Sequence, residues 1–393
     1  MMIKEVINRY VGFIGKQILC LGVVLSCLFS CSENKQTEIP LLDPKAFSAD
    51  VDGKKTSLYT LESGNGIYMQ VTNFGARVVT LWTPDKTGKY EDIVLGFENI
   101  DRYVKRDGER FLGPVVGRYA NRIADGKFEL DGVEYQLPRN NNGQCLHGGL
   151  KGLDGVVWEV DSITFNEIYL SYFSPAWEEG FPGNLTFTIV YSLTPENEFK
   201  ISYKAVSDAP TVINLSHHGL FNLKGEGNGT ITDHLLTINA SHITPVNKVL
   251  IPTGEIIPVN DTPFDFQQAR VIGDRIDNED EQLKYGAGYD HNWVIDRTSP
   301  VGIEQVATLY EPASGRVMEV WSDQPGIQFY SGNFFQGTTI GKYGKSLKYR
   351  EGLALETQKF PDSPNHSHFP STRLDPGEEY THTCIYKFST KLN

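Results

Sequence analysis

Cysteine is nearly absent from most of this chain. Of five, Cys20, Cys27 and Cys31 fall within the first 31 residues, which leaves Cys145 and Cys384 for everything that follows. Two cysteines are too few for a disulfide framework, and neither sits at metal-ligand spacing; one bridge between them stays open. Positive charge is also short: 36 Lys and Arg stand against 49 Asp and Glu, a formal net charge of −13. Nucleic acid and the anionic face of a membrane, which need clustered Lys and Arg, are therefore excluded as electrostatic partners, and a neutral ligand fits the balance better. No HExxH spacing occurs, and the Asn365-His366-Ser367-His368 run suits a solvated loop better than a metal site. There is no Gly-rich strand-to-helix loop for a nucleotide and no GxSxG elbow for a serine nucleophile. The sequence thus predicts neither metal nor cofactor.

Long apolar runs are missing with one exception. Ile18 to Phe29 is apolar, follows the basic residues Lys4, Arg9 and Lys16, and is too short to span a bilayer comfortably. Residues 1–30 are expected to be an export signal. Leu28-Phe29-Ser30-Cys31 resembles the lipobox of bacterial lipoproteins, which implies acylation of Cys31 and anchoring of the exported protein to a bacterial membrane, on its periplasmic or cell-surface face. That lipid is the only membrane contact expected. Residues 31–44, polar with two prolines, are expected to be a tether.

Helical stripes are scarce as well; only 99–106 and 266–276 suggest a few turns. What fills residues 45–393 instead is period-two alternation. Asp131-Gly132 between KFEL and VEYQ is a strong hairpin signal, and a longer hairpin is predicted from Leu185 through the turn near Pro195 to Tyr203. Further strands are expected at 168–173, 317–321 and 380–388. Many strands, Gly- and Pro-rich turns and few helices predict a single all-β domain, a large sandwich or barrel.

Six stretches concentrate polar residues beyond what a plain sandwich needs. In GLALETQKFPDSPNH, Glu356 interrupts an apolar run, so it is either paired structurally or used as a base whose pKa burial raises. GPVVGRYANRI carries Arg118 and Arg122, whose rigid donor forks suit hydroxyls or carboxylates. CLHGGLKGLDGVVW places His147 before a Gly pair that permits close backbone approach. TVINLSHHGLFNL alternates so that Ile213, Leu215 and His217 share one face and Asn214, Ser216 and His218 the other. An imidazole there donates a proton near neutrality, or pairs with a surface acid. GYDHNWVI holds Asp290, a hydroxyl acceptor or a turn cap. In QPGIQFYSGNFF, Gln328 precedes Phe329-Tyr330, the amide-beside-ring composition of sugar pockets and also of some cores.

Taken in order, these stretches resemble the aldose 1-epimerase (galactose mutarotase) family from about Thr60 to Phe388. Supporting pieces are Gly117–Ile123, LHGG followed by Trp158, FPG at 181–183, TPV and IPTGEI at 244–256, PFDF at 263–266, and LETQ with the later PD and NH. The resemblance implies a large antiparallel β-sandwich with an open cleft for a small aldose, with no cofactor and no metal. It implies Glu356 as the base at the anomeric hydroxyl and His218 as the acid at the ring oxygen. His147, Arg122 and Asp290, with Asn121 and Gln328, would hold the sugar. The family pattern around the acid reads Asn-His-Ser-Tyr-Phe, where this chain has His217-His218-Gly219-Leu220-Phe221, a departure that bears on sugar preference. A non-catalytic carbohydrate-binding lipoprotein and a glycoside hydrolase using Glu356 with Asp290 stay open beside this reading, as do a monomer and a homodimer.

Overall fold

The computed structural model describes residues 39–106 and 108–392. The expected export signal, the acylation site Cys31 and the tether up to residue 38 lie outside them. The folded body takes in the last residues of the expected tether, which therefore ends before residue 44. Leu42 exchanges two main-chain hydrogen bonds with the Gln70 side chain (2.9 and 3.0 Å), and a single turn, Pro44–Phe47, buries Phe47. Among the described residues no helix is long and apolar enough to cross a membrane.

Three antiparallel sheets make a β-sandwich. The largest has nine strands, from Glu159–Ile163 at one edge to the short Arg270–Val271 at the other, with Leu185–Leu193, Glu198–Ser207 and Glu379–Thr390 at its centre. Their burial alternates along each strand, as period-two side-chain placement requires when one face meets a core and the other meets water. A four-stranded sheet runs through Leu58–Glu62, Tyr68–Thr72, Arg77–Pro84 and Tyr90–Asp92. A five-stranded sheet is ordered Ile257–Pro258, His242–Thr244, Asp290–Val294, Gly326–Tyr330, Ala354–Gln358. One continuous hydrophobic core joins all three, with Met69 and Val78, Phe187 and Tyr203, and Trp293 and Phe329 as representative members.

The Asp131-Gly132 hairpin forms as expected, pairing Leu130 with Val133, and both central residues take positive φ (55° and 78°) to match the twist of the flanking strands. The strands expected at 168–173, 317–321 and 380–388 are observed at Glu167–Ser174, Arg316–Ser322 and Glu379–Thr390. Of the two expected helices, Ile100–Lys105 is present, capped by Asn99, which accepts from the Arg102 N–H. The other is not. Residues 270–271 pair with Leu235 and Leu236 at the sheet edge, followed by one tight turn at Ile272–Asp274, because sheet pairing claims the backbone groups a helix would need. A helix the sequence did not suggest, Glu281–Gly286, is capped by Asp280, which accepts from two N–H groups, and it leads into Asp290. Cys145 and Cys384 are buried and unpaired.

Candidate active site

The five-stranded sheet supplies one wall of a cleft of about 240 Å³. That is slightly below the ~300–1,000 Å³ typical of drug-sized sites, so it suits a single small ring. Antiparallel register explains which residues share the wall. Asp290 faces Tyr330, Asn292 faces Gln328, and Gln328 faces Glu356, so Asp290, Gln328, Tyr330 and Glu356 all project from one side of the sheet. The alternate residues His291, Trp293, Phe329 and Leu355 point to the core.

The opposite wall comes from three loops stitched to that sheet. Ser216 Oγ donates to the Thr357 carbonyl at 3.0 Å, and Phe221 and Leu353 exchange main-chain hydrogen bonds of 2.7 and 2.9 Å. These bonds hold the 216–221 segment against the strand of Glu356. The alternation expected there is observed: His218 lines the cleft. His217 turns into an aromatic cage of Tyr191, Phe199 and Tyr386, with ring centroids 5.5–6.2 Å away. Arg122 and Asn121 enter from the strand Arg122–Ile123, which pairs with Cys145–Leu146, so that Asn121 stands opposite His147. The Asn121 carbonyl accepts from the His147 N–H at 2.9 Å, and the Asn121 N–H faces His147 Nδ1 at 3.1 Å. Gly148, with φ of 87°, is required next: a Cβ there would sit 1.8 Å from the Gly117 carbonyl oxygen.

Glu356 and His218 meet across the cleft, with Oε1 3.7 Å from Nε2, and both are buried. Burial and the neighbouring Asp290 charge push the Glu356 carboxyl up to about 8 against the opposing pull of Arg122. Its Oε2 has no hydrogen-bond partner among the described residues. Burial drives His218 down to about 4, although the carbonyls of His218 itself and Phe111 favour the charged ring. Asp290 accepts from Gln328 Nε2 at 2.8 Å and lies 3.9 Å from Arg122; burial raises its pKa against both partners. Gln328 thus stands behind Asp290. Arg122 also reaches Asn141 at 3.4 Å, and its own pKa is lowered by burial, with Asp290 and Glu356 opposing.

The two arginines of one motif separate cleanly. Arg118 spends all its donors on Ser174 and on the carbonyls of Ser174, Pro175, Pro182 and Gly183. It clamps the FPG turn and is structural, whereas Arg122 faces the cleft. Sequence reasoning missed Phe111, whose ring packs on both His147 and His218 with centroids 4.7 and 5.7 Å away. It also missed Glu109, Asn141 and Phe334 in the lining. Isolated loop residues carry no periodic signal. Tyr330 was recoverable, since it stands two residues from Gln328 and so shares its face.

By distance alone, His147, His218 and Glu356 could hold a metal, each offering an atom within 4.8 Å of the others. The chemistry of the donors argues otherwise. The N–H that faces His147 Nδ1 makes that nitrogen an acceptor, so Nε2 carries the ring proton and has no lone pair for a cation. The same tautomer, together with burial that holds the His147 pKa well below its ordinary value, makes Nε2–H a neutral donor on a residue that lines the cleft. The site is therefore built for proton transfer and hydroxyl recognition.

Comparison with known proteins agrees with this chemistry. The aldose 1-epimerase family model matches residues 57–387. Galactose mutarotase from Bos taurus is 41% identical over 321 residues, covering 82% of this chain and 91% of that protein. Aldose 1-epimerase from Escherichia coli (strain K12) is 33% identical over 353 residues, covering 89% and 98%. The crystal structure of an aldose epimerase homologue from C. elegans superposes with a TM-score of 0.77 at 30% identity, covering 86% of this chain and 100% of that one.

Proposed function

This chain belongs to the aldose 1-epimerase family, and we propose from that premise that it exchanges the anomers of free aldohexoses such as glucose or galactose through the Glu356–His218 pair. It is an isomerase of the epimerase type. The observation that carries the assignment of roles is the 3.7 Å approach of Glu356 to His218 at a buried cleft wall.

With Glu356 raised to about 8 and His218 lowered to about 4, the pair holds one proton between those limits. In the free site that proton rests on Glu356, and ring opening proceeds from the tautomer in which it has passed to His218, leaving Glu356 ionised. Glu356 takes the proton of the anomeric hydroxyl, the bond from C1 to the ring oxygen breaks, and His218 gives that oxygen its proton. The pair is left as neutral Glu356 and neutral His218, its other one-proton form. The free aldehyde rotates about the C1–C2 bond. On closure His218 takes the hydroxyl proton as that oxygen attacks C1, and Glu356 returns a proton to the former carbonyl oxygen. No net proton enters or leaves. Positioned acid–base groups of this kind contribute about 10²–10⁴-fold.

Arg122 and the Nε2–H of His147 donate to sugar oxygens, and Asp290 accepts from a hydroxyl. Asn121 fixes the His147 tautomer, and Gln328 holds Asp290. The basic leader, its short apolar run and Leu28-Phe29-Ser30-Cys31 support export and a lipid anchor at Cys31. Replacing Cys31 with Ser is expected to release the protein from membranes.

The test is polarimetry of freshly dissolved pure α-glucose or α-galactose. The enzyme should bring rotation to equilibrium far faster than buffer, the His217→Ala variant should keep much of that activity, and His218→Ala should lose nearly all of it. A rate equal to buffer for both sugars, or the reverse order of the two histidine variants, would overturn the assignment.

A further inference from the structure

We propose that Glu109 makes the cleft selective by charge, admitting uncharged aldoses and turning away anionic ones such as hexuronic acids. This rests on the epimerase reading above and adds the substrate class. Glu109 lines the cleft beside Phe111, Tyr330 and Phe334, and no hydrogen bond or ion pair engages its carboxyl among the described residues.

The cations nearest in sequence are committed elsewhere. Arg110 pairs with Asp154 through two contacts of 2.8 Å and also donates to the carbonyls of Gly149 and Lys151. Arg106 donates to the carbonyls of Leu150 and Lys151. Among the described residues Arg122 is the only cation in the lining, and Asp290 already answers it at 3.9 Å. Three carboxyls, Glu109, Asp290 and Glu356, therefore face one guanidinium.

Asp290 and Glu356 are needed for sugar contact and chemistry, but Glu109 is not. Besides burial, the charge of Glu109 helps hold the Tyr330 phenol above its ordinary pKa, as two neighbours in one lining would. A half-buried carboxyl pushed up to about 7 by burial, with no cation drawing it back, has not been stabilised for folding. Its physical consequence is repulsion of a second anion inside a confined, partly desolvated space, which is how sites reject competitors without adding contacts to the preferred ligand.

The experiment measures equilibrium binding of galactose and galacturonate to the full chain by titration calorimetry at pH 8 and low salt, where Glu109 is ionised. Wild type, Glu109→Gln and Glu109→Lys are compared, with thermal midpoints recorded to confirm folding. Wild type should prefer galactose by roughly 30-fold or more, Glu109→Gln should narrow that ratio about tenfold, and Glu109→Lys should narrow it further. Raising the salt to about 0.5 M should shrink the wild-type gap and leave the Glu109→Gln ratio nearly unmoved. Equal wild-type affinity for the two sugars, or ratios unaltered in both folded variants, would overturn the proposal. Polarimetry on the same samples separates the two readings: a charge-dependent binding ratio without anomer exchange would uphold the role of Glu109 and sink the epimerase assignment.

Discussion

The two faces of the five-stranded sheet differ more than any other pair of surfaces in the molecule, although they alternate residue by residue along the same strands. The core face carries Trp293 and Phe329, 5.9 Å apart, extended by Tyr289 stacked on Phe329 at 5.2 Å and Phe266 at 5.9 Å. Its indole N–H is satisfied by the Phe264 carbonyl at 3.0 Å. The cleft face carries Asp290, Gln328 and Glu356, with Glu356 Oε2 and Gln328 Oε1 lacking partners among the described residues. The first face packs into the hydrophobic core and contributes to stability. The other keeps buried hydrogen-bonding capacity in reserve for a ligand, at a cost to the folded state.

The sharpest way to test that contrast is to truncate each face in turn. Glu356→Gln and His218→Ala should each lower kcat by about 10³-fold or more with the protein still folded, since each removes a proton-transfer partner. Phe329→Ala should instead cost about 3–5 kcal/mol of stability in chemical denaturation, while the remaining folded fraction keeps a nearly normal KM. If Phe329→Ala lost activity with no loss of stability, the division between the faces would fail.

The faces should also respond to mutation with opposite sign. The Glu356 carboxyl titrates near 8 in the folded protein and near 4.5 when unfolded, so between those values the native state holds a proton that the unfolded chain has released. Stability from this group therefore falls as pH rises through that window. Glu356→Gln should stabilise the protein on the order of 1–3 kcal/mol above about pH 8. The gain should fade toward pH 4.5, as thermal midpoints across pH would show.

A smaller effect concerns the departures around His218. His217 carries an imidazole where the pattern that the sequence resembles has an acyclic Asn, and a Cβ at Gly219 would lie 2.7 Å from His217 Cε1 and 2.9 Å from the Phe221 ring. The two changes are one packing solution: a ring added at 217 requires the side chain at 219 to be removed. Gly219→Ser alone should lower kcat about tenfold by displacing His218 between them, and His217→Asn/Gly219→Ser should recover most of it. A double variant no better than the single would show the positions to be independent.

Much of this was legible in the sequence where periodicity carried it. Alternation placed His217 and His218 on opposite faces, and the Asp131-Gly132 turn and the long hairpins declared themselves. Glu356 announced itself as a charge inside an apolar run. What stayed hidden depended on partners distant in the chain. Arg118 and Arg122 look alike in GRYANRI, and only the FPG turn, some 60 residues away, makes one structural. The proton position on His147 is fixed by the Asn121 N–H, a cross-strand contact. Glu109 and Phe111 lie in an irregular loop with no period to expose them. The expected helix at 266–276 failed because an edge strand outcompeted local propensity.

The central claim is that one shared proton on Glu356 and His218 carries the reaction in both directions. The direct measurement is kcat/KM for α-anomer exchange across about pH 3.5 to 9.5. A bell is predicted, falling below about 4, where the pair holds two protons, and above about 8, where it holds none. A profile flat across that range would contradict it.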